Sequence, residues 1–185
     1  MWLLLNLALY QGVWLLSVLW ADLGGVFSLP LLLLHCLLSP YLGRDILLML
    51  VLLVLGCLLD GSLQALQFIT FTEAGRPIPF WLAMIWLALA TLPNHALAWL
   101  QGRPGLSAGF GALGGPLAYW AGVELGAATF SQPLIPSLAL LALVWAILWP
   151  LVMGLSRSLA GCGWFGSGGK GASEGVSRDK TGRRG

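Results

Sequence analysis

Apolar residues run along this chain in six stretches, at roughly 2–20, 24–42, 45–69, 79–101, 106–129 and 133–156. Each is long enough, or nearly so, to cross a bilayer as a helix, which takes about 20 mostly apolar residues. The separators are turn-formers: Asp22-Leu23-Gly24-Gly25, Ser39-Pro40-Tyr41-Leu42-Gly43, Glu73-Ala74-Gly75-Arg76-Pro77, Gly102-Arg103-Pro104-Gly105 and Ser131-Gln132-Pro133. The pattern predicts an all-α fold, a polytopic membrane bundle of six transmembrane helices. The second stretch is short and holds Pro30, so a re-entrant hairpin is its alternative. The first stretch lacks a basic leader and a small-residue cleavage site, and reads as a retained spanning helix.

Composition narrows the class. Hydrophobic residues make up 58% of the 185 positions and charged residues 9%, against about 25% charged in soluble domains. So few charges cannot cover a soluble globule, and so much apolar surface excludes disorder of the whole chain. Three Cys without paired spacing exclude a disulfide scaffold.

Residues 1–156 form the expected transmembrane domain, with Arg44, Arg76 and Arg103 as their only basic groups. Residues 157–185 carry six basic residues, and 9 of these 29 positions are Gly. This tail is expected to be a disordered cytoplasmic extension. It is too short and too sparsely charged to read nucleic acid. With six spans and the N-terminus inside, Arg44, Arg103 and the tail all face the cytoplasm, and only Arg76 faces out. That distribution satisfies the positive-inside rule and puts both termini in the cytoplasm.

Polar side chains inside hydrocarbon are costly, so they face a bundle interior or a cavity and are functional candidates. Eight qualify: Asn6, Gln11, His35, Asp60, Asn94, His95, Tyr119 and Glu124. Counted from Arg44 and Arg103 at about 1.5 Å per residue, His35 and His95 lie at matched depth, roughly 12–14 Å in. Asn94 shares that level and Asn6 lies on the same side. Asp60 and Glu124 fall in the opposite half. Two His at one depth could ligate a haem or another metal. No third ligand stands at metal spacing, however, and Cys36 points about 100° away from His35 around the helix. No metal or cofactor is therefore expected. An interhelical hydrogen-bond network or a polar ligand pocket accounts for the same residues. Pro93, just before Asn94-His95, should leave the Leu89 carbonyl without its helical partner and bend the helix.

Asp60 is the most costly residue to place in a membrane, at about 2.5–3.5 kcal/mol on insertion scales. Gly56 precedes it by one turn, and Gln64 is a possible local partner. Glu124 lies near the outer interface. The fifth stretch carries two small-residue rows, Gly114-Ala118-Gly122-Gly126 and Gly111-Gly115-Tyr119, and should be the central packing helix. Nucleotide-binding loops, nucleophile elbows and zincin motifs are absent from the sequence.

Asn6 with Tyr10-Gln11, Asp60, Asn94-His95 and the run Gly114-Gly115-Pro116-Leu117-Ala118-Tyr119-Trp120-Ala121-Gly122, in this order and length, resemble an uncharacterised bacterial inner-membrane family known only as a domain of unknown function. The resemblance covers about residues 1–156. It implies a proteobacterial inner-membrane location. Genes of that family often neighbour cyclopropane-fatty-acid-synthase-like methyltransferases, which implies a link to membrane lipid modification but no activity. Three functions are open: binding of a lipid or lipophilic ligand, small-solute transport or capture through Asp60, His95 and Glu124, and acid/base catalysis by Asp60 and His95. The last is disfavoured by their separation of about 10 Å in depth, beyond hydrogen-bond reach.

Overall fold

The computed structural model describes residues 2–73 and 75–161. Its elements are α1 (Trp2–Leu38), α2 (Leu42–Ala65), β1 (Ile69–Phe71), α3 (Phe80–Leu89), a 3₁₀ turn (Ala98–Leu100), α4 (Pro104–Glu124), β2 (Ala128–Phe130) and α5 (Leu134–Gly161). Among the described residues the fold is all-α apart from one two-stranded clip. Among the described residues α1, α2 and α5 are long and apolar enough to cross a membrane, which marks a membrane-spanning protein.

α1 is not one rod. Ala21 has φ 48° and ψ −131°, well outside helical values, and the chain reverses there. Asn6 and His35 would lie about 44 Å apart along a straight helix, yet their side chains meet at 3.4 Å. The two arms, residues 2–20 and 22–38, pack antiparallel through small and hydroxyl residues. A Cβ on Gly24 would sit 1.8 Å from the Leu16 carbonyl oxygen, so only glycine permits the crossing. Farther along, the Ser28 hydroxyl lies 3.4 Å from that of Ser17 and donates to the Gly24 carbonyl at 2.8 Å. These arms are the expected stretches 2–20 and 24–42. The second arm runs as one helix through Pro30, without a re-entrant turn.

The bundle has two ends. At the Trp2 end lie Ser39–Tyr41, the 90–101 segment and the end of α5. At the other, the strand end, β1 and β2 pair antiparallel, Ile69 opposite Phe130 and Phe71 opposite Ala128. Alternation in segments this short is masked by the apolar residues around it, so the clip was not expected from the sequence. Gly126 (φ 81°) ends α4 as a left-handed cap, two residues after Glu124. It therefore falls outside the helical row assigned to it. The Asp22 carboxylate caps α3 from a distance, accepting the Trp81 N–H at 3.1 Å.

The fourth expected stretch, 79–101, is α-helical only over Phe80–Leu89. It stops four residues before Pro93, as the missing N–H and the ring clash require. The Leu89 carbonyl is taken instead by the Leu92 N–H at 3.1 Å, and tight turns continue to the 3₁₀ element. α5 runs to Gly161, past the expected domain boundary at 156. The expected disorder from residue 162 onward lies outside the described residues.

Candidate functional site

Two polar clusters lie inside the bundle, one at each end. The larger is built on Asp45, in the first turn of α2 and fully buried. Its Oδ1 accepts the Asn94 amide at 2.8 Å. Its Oδ2 receives His95 Nε2 at 2.8 Å, His35 Nε2 at 3.1 Å and the Ser39 hydroxyl. Four donors on two oxygens suit an acceptor-only carboxylate.

The breakdown of the α3 helix at Pro93 makes this cluster possible. It frees backbone groups, which side chains then satisfy. Asn6 Oδ1 accepts the Ala96 N–H at 3.1 Å, and Gln101 Nε2 donates to the Pro93 carbonyl at 2.8 Å. Asn6 also donates to Thr91 at 2.9 Å. Ser156 of α5 accepts from Gln101 and donates to Asn94 Oδ1. The network thus ties both arms of α1, α2, the 90–101 segment and α5 together.

The direction of the hydrogen bonds decides the metal question. His35, Asp45 and His95 each place a possible ligand atom within 4.8 Å of the others, so Asp45 adds the third candidate that sequence spacing does not show. Yet Trp2 Nε1, which can only donate, points at His95 Nδ1 at 2.9 Å. His95 Nδ1 is therefore the acceptor and Nε2 carries the proton given to Asp45. The Asn6 amide, pinned by Ala96 and Thr91, faces His35 Nδ1 in the same sense. A metal on either Nε2 would need the proton on Nδ1, where it would meet another donor. Elemental analysis of purified protein is expected to find no stoichiometric transition metal; one metal per chain would mean that Trp2 has turned away from His95. A Ser-His-Asp triad fails on geometry too, since Ser39 (3.4 Å) and Asp45 approach the same His95 nitrogen.

The second cluster is Asp60, also fully buried. Trp86 Nε1 donates to Oδ2 at 2.7 Å and the Tyr119 hydroxyl donates to Oδ1, joining α2, α3 and α4. Gly56 makes room for this: a Cβ there would lie 2.5 Å from the Trp86 ring. Trp86 stacks on Trp145 with centroids 5.6 Å apart, and Trp145 lies 6.3 Å from Trp149. The indole N–H groups of Trp145 and Trp149 are buried with no acceptor among the described residues.

The wall borders a cavity of about 320 Å³ between the α1/α3 layer and the α4/α5 layer. Its lining is mostly apolar, with Asp60, Tyr119, Tyr10 and Gln11 as polar members. Of the residues expected to act, Asn6, His35, Asn94 and His95 come together at the Trp2 end, the two His rings 5.0 Å apart. Asp60 and Tyr119 meet at the cavity with Gln11 at its edge. Glu124 joins neither cluster: it is exposed and pairs with Trp120 Nε1 at 3.1 Å, one turn back on its own helix. Asp45 is not among the residues expected to act: it stands beside Arg44 at the start of a span, where nothing in the sequence distinguishes an inward from an outward carboxylate. In the structure Arg44 turns outward over the Tyr41 ring, 3.9 Å from its centroid, and Asp45 turns in.

Buried polar clusters flanking an apolar cavity among helices long enough to cross a membrane define a membrane helix bundle with an internal cavity. The chain belongs to the family described as Protein of unknown function (DUF2878), whose model matches residues 3–151. No curated protein and no solved structure matches it.

Proposed function

We propose that this protein binds a lipophilic ligand within a bacterial inner membrane, in the cavity beside Asp60. The observation that carries this reading is the cavity itself. Its volume stands at the lower end of small-molecule sites, about 300–1,000 Å³, and an apolar lining with a few placed polar groups is what such sites have. In this reading the two α1 arms, α2, the 80–100 segment, α4 and α5 make six crossings. Arg44 and Arg103 lie at the Trp2 end, with the Arg157 guanidinium beside Gly102. Arg76 lies toward the strand end. The positive-inside rule then makes the Trp2 end cytoplasmic. A role supporting membrane lipid modification fits a small accessory protein of this kind.

Solute transport by Asp60, His95 and Glu124 acting together has less support, because these residues lie in three separate places. Acid/base catalysis is disfavoured for the same reason, and because both Asp60 oxygens are engaged by Trp86 and Tyr119.

The test is mass spectrometry of protein extracted gently from its native membrane. The wild type is expected to release a defined lipophile at near one per chain. Gly114→Phe, which fills the cavity from α4, should release about tenfold less while melting like the wild type. An equally empty wild type and variant would overturn the proposal.

A further inference from the structure

We propose that the ligand is an uncharged lipophile bearing a carbonyl or hydroxyl group at mid-membrane depth, and that it enters sideways from the bilayer between the first arm of α1 and α4. This rests on the cavity being a binding site.

The entrance follows from the walls. At the strand end Ile69 and Phe71 of β1 and Ala128 of β2 line the cavity, so the strand clip closes it there. Toward the Trp2 end it is bounded by Leu92 and Leu97, above the Asp45 network. On the flanks α1 packs on α3 and α4 packs on α5. Side chains cross between the layers at Asp60–Tyr119, Trp86–Trp145 and Asn94–Ser156. Among the described residues no hydrogen bond or ring contact joins α1 to α4, although both line the cavity. Gly122 of α4 lines the cavity and is buried, yet a Cβ placed on it would meet nothing within 4 Å, so this side of α4 borders open space. Such a seam opens onto lipid, not water.

The chemistry follows from what lines the space. It holds no Arg, Lys or His, and its one ionisable acid is Asp60. A phosphate or carboxylate headgroup would find no counter-charge there, and burying it unpaired is prohibitive. Gln11 lines the cavity from its exposed rim, about 14 Å along its arm from Trp2. Neither its amide nor the neighbouring Tyr10 hydroxyl has a hydrogen-bond partner among the described residues, and both line the cavity. Polar groups inside hydrocarbon need partners. A carbonyl or hydroxyl on the ligand would accept from the Gln11 amide at that depth.

Purified protein in phosphatidylcholine nanodiscs would be photolabelled with two diazirine probes, a long-chain methyl ketone and a phosphatidylglycerol. Labelled peptides are then read by mass spectrometry. The ketone is expected to label the 2–20 arm and α4 saturably, competed by unlabelled ketone, and the phosphatidylglycerol only in proportion to its bulk concentration. Gly122→Leu, whose Cβ has open space around it and whose side chain would fill the seam, should cut ketone labelling about tenfold, and Gln11→Leu should weaken it severalfold, both with wild-type melting. Saturable labelling by phosphatidylglycerol would overturn the neutral-ligand inference. Ketone labelling untouched by Gly122→Leu but lost in Gly114→Phe would overturn the entrance while leaving the cavity intact. Labelling by neither probe, with no lipophile co-purifying, would overturn the binding site as well.

Discussion

Asp45→Ala is expected to be among the most destabilising substitutions in this protein, costing about 3–5 kcal/mol through the buried hydrogen-bond network it breaks. The carboxylate is the point on which His35, His95, Ser39 and Asn94 converge. Its removal leaves four donors from four segments facing an apolar space, and an unsatisfied buried donor costs about 1–3 kcal/mol. Asp45→Asn separates the cage from the charge. Its carbonyl oxygen can keep the His35, His95 and Ser39 bonds, while its NH₂ meets the Asn94 amide. One bond is lost and three lose their charge assistance, so the cost should be smaller, about 1.5–3 kcal/mol. Thermal unfolding in detergent, with and without lipid, checks the order: wild type above Asn above Ala. An alanine variant that melts with the wild type would mean the network carries no stability.

The bundle was legible because its cause is one-dimensional. Length of apolar run and turn chemistry dictate helices in lipid, and neither needs tertiary information. His35 and His95 do come together at one level, but not at the roughly 12–14 Å expected from helical rise. Both reach Asp45, next to Arg44, because the α-helix stops at Leu89 and the rise per residue does not hold over 90–101. Rotation about the helix axis is not encoded in run length or turn chemistry. Asp45 and Arg44 are adjacent and both charged, and only the packed structure decides which turns inward. The small-residue rows of α4 failed on the same variable. Both have the spacing for close approach, and which one meets α5 depends on a rotation of about 100° per residue. The hairpin at Ala21 was readable from Asp22 to Gly25. The strand clip was not, because three-residue strands carry no periodicity.

Glycines in α4 are expected to divide sharply by row. Gly111→Ala would put a Cβ 2.3 Å from the Trp145 carbonyl oxygen and 2.7 Å from Trp149 Cβ. A backbone oxygen in α5 cannot rotate away, so the helices must separate along their extensive contact. Gly115→Ala meets the Trp145 ring at 2.2–2.6 Å, and that ring is held by Trp86 on one side and Tyr119 at its edge. Overpacking of this kind costs about 1–3 kcal/mol, occasionally more, and Gly111→Ala should be the worse because it strikes main chain. Gly114→Ala and Gly122→Ala add a methyl where nothing lies closer than 3.8 Å. They should be neutral, or stabilising by up to about 1 kcal/mol, the helix-propensity gain of Ala over Gly. Melting temperatures of the four variants in one detergent decide it. If all four fall together, the Gly114–Gly122 row is packed as well as the Gly111–Gly115 row, and the cavity's small-residue wall goes with it. If only Gly111→Ala and Gly115→Ala fall, the other row is free of packing duty. The close spacing of small residues at Gly114, Ala118 and Gly122 is then explained by the space they leave open rather than by a helix they hold.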